Sequence, residues 1–239
     1  GGVNRSARRN KNTKRQDKGP MKMAILRYLL TLPMMFAVAC SAQAHPHMFF
    51  KSTAQFIVDE KGQLSQLRVV FLIDELNTLY TLAELGVNQD GDQTLSDEEV
   101  DKIAQSVLKG FDHYQFFTHL YEKQRAVALG KPTNVTVQLH QQRLGLVFLM
   151  PLDAPLALKG RSLSLQLYDP TYFTEITIDL PPTIVGDKSS CTVAVEQPAN
   201  TEQTRQSQVL LSQLSREEKP DVENVGALFA ETTRLTCKG

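Results

Sequence analysis

Residues 55–73 read Gln55-Phe56-Ile57-Val58-Asp59-Glu60-Lys61-Gly62-Gln63-Leu64-Ser65-Gln66-Leu67-Arg68-Val69-Val70-Phe71-Leu72-Ile73, and their pattern decides the fold. Apolar side chains recur at every second residue, at Phe56 and Val58 and again at Leu67, Val69 and Phe71. Period two places them on one face of a strand, and Asp59-Glu60-Lys61-Gly62 supplies the turn chemistry between, so 48–73 is predicted as a β-hairpin. From Asp74 the period becomes helical, with Leu76, Leu79, Tyr80 and Ala83 recurring. After a polar loop, Val100, Ile103, Ala104, Val107, Leu108 and Phe111 follow the spacing of a buried helix stripe. Beyond Pro132 strands return, over 135–139, 144–150, 163–167 and 173–180, separated by Gly and Pro. The expected class is α+β, with antiparallel strands flanking an inserted EF-hand-like helix-loop-helix pair at 74–125. One domain over 45–198 is expected. A Gln-, Thr-, Ser- and Glu-rich tail follows over 199–239, carrying a short helix near 209–214 and little core of its own.

The loop between the two predicted helices matches the twelve-position calcium loop of an EF-hand. With Asn88 at position 1, Asp90 falls at 3, Asp92 at 5, the Thr94 carbonyl at 7, Ser96 at 9 and Glu99 at 12. Asn88 is neutral where a carboxylate is usual, and Gln93 stands where glycine makes the sharp turn at little cost. Calcium binding is therefore expected in the weak class, roughly 0.1 to 1 mM, or absent. The same letters have a purely structural reading, because Ser96 and Glu99 form a capping box and Asn88-Gln89-Asp90-Gly91-Asp92 is good turn chemistry.

Upstream of the hairpin lies a basic stretch, then an apolar run over 29–39 and Ala42-Gln43-Ala44, the three-part layout of an export signal. The chain opens Gly-Gly, so the first twenty residues read as upstream extension, with Met21 or Met23 as the natural start. Cleavage after Ala44 would release a periplasmic protein beginning at His45; the alternative is a lipoprotein box, Ala37-Val38-Ala39-Cys40, acylated at Cys40. Residues 1–44 hold 9 basic and 1 acidic residue of totals of 26 and 26, leaving 17 basic against 25 acidic and a net charge of −8. An acidic body excludes nucleic acid, whose phosphates need lysine and arginine, and favours cations. Cys191 and Cys237 form an even count in an exported chain and read as a disulfide, with a thiolate metal pair as the rival.

Cleavage before His45-Pro46-His47 would set two imidazoles within three residues of a free amine. That is the chemistry of a histidine brace for copper, and imidazole also suits nickel and zinc. Pro46 has no amide hydrogen to give, so a terminal metal would be held by the amine and the two rings. Asp169 or the pair Asp74 and Glu75 would complete it with oxygen; the other reading of Tyr168-Asp169-Pro170-Thr171-Tyr172 is a strand end and proline turn that Asp169 caps, with the tyrosines packed on the sheet. The plain alternative is a polar entry to the first strand. His113, His119 and His140 read as surface or packing residues. There is no nucleophile constellation and no phosphate-binding glycine loop, so an enzyme is not expected.

Taken with Ala44-His45-Pro46-His47, Asp74-Glu75, the Asp90-Gly91-Asp92 loop with Leu95-Ser96 and Glu99, Phe116-Phe117, Tyr168-Asp169-Pro170-Thr171-Tyr172 and the closing Cys191 and Cys237, the mature chain resembles a family of exported bacterial proteins. These are labelled as the periplasmic component of an ABC-type transport system and are found beside nickel/cobalt or zinc permeases. The resemblance implies a non-catalytic accessory that handles a divalent transition metal (Ni, Co, Zn or Cu) for an inner-membrane permease or ABC transporter, with no small-molecule organic substrate. The alternatives are a calcium-binding interaction module and a copper enzyme with an N-terminal histidine brace.

Overall fold

The computed structural model describes residues 1–2, 45–92, 94–186, 190–215 and 218–239. The predicted leader, its cleavage point and Cys40 lie outside these, as does Gln93. The chain divides into two units, 1–41 and 42–239, and the second carries the elements below. Among the described residues no helix is long and apolar enough to cross a membrane.

The predicted hairpin forms as β1 (Met48–Val58) and β2 (Gln63–Ile73), paired antiparallel with Phe56 opposite Leu67 and Ala54 opposite Val69. Alternation buries Phe50, Phe56, Leu67, Val69 and Phe71 on one face. Helices α1 (Glu75–Leu85) and α2 (Asp97–Phe111) follow in succession. The first begins at Asp74, whose side chain caps it, and ends at Gly86, which takes the left-handed conformation that glycine adopts without strain. Thr78 is fully buried and its hydroxyl accepts from the Leu144 N–H at 3.0 Å, which pins α1 to the strand that starts there.

A distorted turn over Asp112–Phe117 leads into β3 (Thr118–Glu122) and β4 (Arg125–Ala126), then β5 (Thr133–His140), β6 (Arg143–Ala157), β7 (Ser162–Leu167), β8 (Thr174–Ile178), β9 (Thr183–Val185) and β10 (Cys191–Glu196). After α3 (Glu202–Leu211) and a short turn at Val225–Leu228, β11 (Thr232–Cys237) ends the fold. Strands β5-β6-β2-β1-β8 form one sheet, with β9 also on β1, and β10-β11-β7-β3-β4 form the other. The apolar faces of both sheets enter one buried cluster, from Phe71 and Leu146 to Leu165 and Leu235.

The α+β class is as expected, but the first sheet is not purely antiparallel. Strand β1 runs antiparallel to β2 and parallel to β8 and β9. Its apolar alternation is the same whichever way the neighbour runs, so local pattern cannot report this direction. The closing segment also does more than hang from the disulfide. Strand β11 sits between β10 and β7 with Leu235 fully buried, and Cys191 lies opposite Cys237 in that register and is bonded to it. A bridge across 46 residues is worth about 4 kcal/mol in the chain-entropy account. The tail helix spans Glu202–Leu211 and not 209–214, because Thr201 caps its start; its buried residues are Ser207 and Leu211, while Val209 and Leu210 face solvent.

Candidate functional site

The parallel pairing of β1 with β8 builds the site. The N–H groups of His47 and Met48 both donate to the Phe173 carbonyl, at 2.8 and 3.2 Å, which lays the residues before β1 along the turn before β8. The rings of His45 and His47 lie 4.8 Å apart, and both pack on Phe173 at 6.0 and 5.1 Å. His45 is only 7% exposed. Its Nδ1 is buried and makes no hydrogen bond to any described residue. Burial lowers its pKa, and the nearby Asp169 charge offsets that in part, so the site favours the neutral ring. A neutral imidazole nitrogen is the form that ligates metals.

Asp169 lies near enough for its charge to act on His45, but its carboxylate already has partners. One oxygen accepts from the Thr171 N–H and hydroxyl, both at 2.8 Å, and the other from the Thr174 N–H at 2.9 Å. This is the Asx-turn chemistry of an Asp-Pro-Thr sequence, and it fixes the turn on which Phe173 sits. A second segment backs that turn. Gly226 presses on the Asp169 carbonyl so closely that a Cβ there would lie 1.9 Å from it, and Phe229 stacks on Tyr172 at 4.4 Å.

Asp74 likewise reaches the entry strand, accepting from the Phe49 N–H at 3.0 Å while capping α1 through the Asn77 N–H and side-chain amide. Burial works against its ionisation, but the hydrogen bonds from Asn77, Phe49 and Leu76 outweigh it and hold the carboxyl below its ordinary range. Asn77 also donates to the His47 carbonyl at 3.3 Å. Glu75 is exposed in the first turn of α1. Among the described residues no three His, Cys, Asp or Glu side chains are grouped to hold a metal ion. The side-chain nitrogens brought together are the two imidazoles.

The 88–99 loop is knit internally. Glu99 accepts from the N–H groups of Asn88 and Ser96 and from the Ser96 hydroxyl, and the Ser96–Glu99 capping box is fully formed. Asp92 accepts from the Thr94 N–H and hydroxyl, and Asn88 donates to the Asp92 carbonyl at 2.8 Å. Asn88 has φ +49, and its side-chain oxygen is buried without a hydrogen bond to any described residue.

His119 is the packing residue that its sequence context implies. It is buried, bonds to the Tyr168 carbonyl through Nε2 at 3.3 Å and stacks on the Tyr168 ring at 3.9 Å. Burial pulls its pKa down to about 4, the Tyr168 carbonyl resisting. Phe173, Gly226 and Phe229 shape the site without a signal in the sequence, since their roles exist only once distant segments meet.

Fold and site together define an α+β protein of two β-sheets with a shielded histidine pair at the entry to its first strand. The chain belongs to the family described as Protein of unknown function (DUF1007), whose model matches residues 30–237. It is also similar to a protein of Haemophilus influenzae described as uncharacterized, 25% identical over 199 residues that cover 82% of this chain and 92% of that protein. Neither description carries an activity.

Proposed function

We propose that the chain is an exported, non-catalytic accessory of a divalent transition-metal transporter, holding nickel, cobalt, zinc or copper as cargo at His45 and His47. The observation that carries this reading is the buried Nδ1 of His45, without a partner among the described residues, beside the His47 ring. A buried polar atom without a partner is costly, of order 1–3 kcal/mol, and a metal bond would relieve it. Two imidazoles are one donor short of a stable three-ligand set, and cleavage before His45 supplies the amine. Asp169 and Asp74 are each engaged by at least three donors, so we assign them to the surrounding field that favours a cation. The transporter half of the proposal rests on the family resemblance and on the acidic balance of residues 45–239.

The test is calorimetric titration with Ni, Co, Zn and Cu of protein beginning at His45. One equivalent of metal should bind. One extra residue ahead of His45, or His47→Ala, should weaken it at least about a hundredfold, because each removes a donor from a chelate; Asp169→Asn should weaken it less. Equal affinity in the native, extended and His47→Ala proteins would sink the proposal and leave His45-Pro46-His47 as a plain strand entry.

A second reading concerns α1, the 88–99 loop and α2 as an EF-hand-like pair that takes calcium weakly. The observation favouring it is the unpartnered Asn88 side-chain oxygen at the first ligand position.

A further inference from the structure

A cleft of about 410 Å³ opens beside His119 and Tyr121, and its origin is topological. Segment 126–131 starts in one sheet, with Ala126 opposite Tyr121 and the Val127 N–H donating to the Leu120 carbonyl at 2.8 Å. It ends on the other sheet, where Leu129 bridges Leu152 and the Gly130 N–H donates to the Pro151 carbonyl at 2.8 Å. A strand that changes sheets leaves a wedge between them. Phe116, Leu120, Leu129 and Met150 line it with apolar surface, and His119 and Tyr121 add polar atoms.

Three further observations bear on what the wedge holds. Its wall includes Gln115 and Phe116, which with Phe117 form a run of three non-glycine residues at φ 52, 52 and 56. Left-handed backbone costs such residues about 1–2 kcal/mol each, and strain of this kind clusters at ligand clamps. The charged residues lining the cleft, Asp112 and Lys131, are exposed and paired with each other at 3.4 Å. A charged guest would therefore lose its hydration without gaining a counter-charge. The Tyr168 carbonyl can only accept, so His119 Nε2 carries the hydrogen and Nδ1 is left as an acceptor on a ring that lines the cleft.

We infer that this cleft binds a small, uncharged molecule with an apolar body and one hydrogen-bond donor, with His119 as the acceptor that orients it. The chain contains no tryptophan, so indole can serve as probe and its emission be read against a tyrosine-only background. Added to the disulfide-bonded chain, indole should give a saturable blue shift. Indole-3-acetate should bind at least about tenfold more weakly, the penalty for burying an unpaired charge. Val127→Phe, which fills the wedge, should abolish the shift. His119→Phe, which keeps the stack on Tyr168, should weaken indole about fivefold to tenfold and leave unchanged the affinity of benzofuran, which has no donor and is read by displacement. The inference is overturned by no saturable shift with the native chain, by indole-3-acetate binding as tightly as indole, or by unchanged indole affinity in His119→Phe. These arms hold even where Val127→Phe does not fold.

Discussion

The turn at 169–173 and the loop at 88–99 are both dense in polar atoms, yet they distribute their hydrogen bonds differently. In the loop, Asp92, Ser96 and Glu99 are met by donors from within the same dozen residues. At the turn, Asp169 is met locally too, but the histidines that arrive beside it come from the other end of the domain, and His45 Nδ1 has no partner among the described residues. The loop meets its own carboxylates from within and leaves only the neutral Asn88 side-chain oxygen without a partner among the described residues. At the turn the group left over is an imidazole nitrogen with a second imidazole beside it, and that is why the histidine entry carries the proposed function and the loop only a second reading.

If the turn owes its form to tertiary packing and the loop to local bonds, glycine substitutions should separate them most. A Cβ on Gly226 would lie 1.9 Å from the Asp169 carbonyl oxygen and 3.0 Å from its carbon, both backbone atoms. Gly226→Ala should cost at least about 3 kcal/mol in chemical denaturation, at the high end for overpacking. Gly91 sits in the loop at φ +72, and a Cβ added there would meet nothing within 4 Å, so Gly91→Ala should cost only the left-handed penalty, about 1 kcal/mol. Equal losses would erase the distinction.

Acid should separate them next. Unfolded histidine titrates near 6.5, while burial holds His119 at about 4 and His45 below its ordinary value. Between those values the unfolded chain binds more protons than the folded one, so stability falls as pH drops from about 6.5 to about 4, by up to about 3 kcal/mol for His119. Glu99 in the loop works in the same direction but in a lower pH window. Hydrogen bonds from Asn88 and Ser96 hold it below its ordinary range, so its contribution is present above about pH 4.3 and lost only below it. Denaturation series from pH 7 to 3 should show two phases, and His119→Phe should remove most of the first. A native chain as stable at pH 4.5 as at pH 7 would contradict the burial of both histidines.

Local patterns made the local half of this molecule legible. Period-two alternation marks β1 and β2, Asp74 marks the start of α1, and the Ser96–Glu99 spacing marks the start of α2 through a capping box that the structure contains. The parallel pairing of β1 with β8 was not legible, nor was the inner position of β11, because Thr-Thr-Arg-Leu-Thr-Cys reads as a weak, polar edge segment until β10 and β7 cover both its sides. For the site, His45, His47 and Asp169 are visible as residue types; the two rings pack together, and the Asp169 charge acts on His45. Phe173, Gly226 and Phe229 carry no chemical signature, since packing alone gives them their roles.

Exchange of one carboxylate for an amide gives a smaller contrast. Asp169 is 3% exposed and faces three donors. An amide there turns its NH₂ toward one of them and leaves it unsatisfied, so Asp169→Asn should cost about 2 kcal/mol and lower the His45 pKa further by removing the charge that raises it. Asp92 is exposed and its bonds to Thr94 need a single oxygen, so Asp92→Asn should stay within about 0.5 kcal/mol. Thermal melts and NMR titration of His45 read both effects. Matching losses at the two positions would mean that the loop, too, depends on burial.

The smallest expected effect is on calcium. To bind an ion, Glu99 must release the N–H groups of Asn88 and Ser96, and Asp92 must release Thr94, while Asn88 offers a neutral oxygen. Each of these competes with coordination, which sets the native loop in the weak class, roughly 0.1 to 1 mM. Asn88→Asp restores a charge at the first position, and Gln93→Gly puts the glycine of the EF-hand pattern at the sixth. Together they should tighten calcium about tenfold, about 1.4 kcal/mol, in calorimetry, without changing transition-metal binding at His45. Micromolar calcium affinity in the native chain would show that the internal bonds of the loop yield readily, and the contrast with the turn would then rest on ligand type alone. No calcium binding even in the double variant would remove the EF-hand-like reading and leave the loop as a capped connection between two helices.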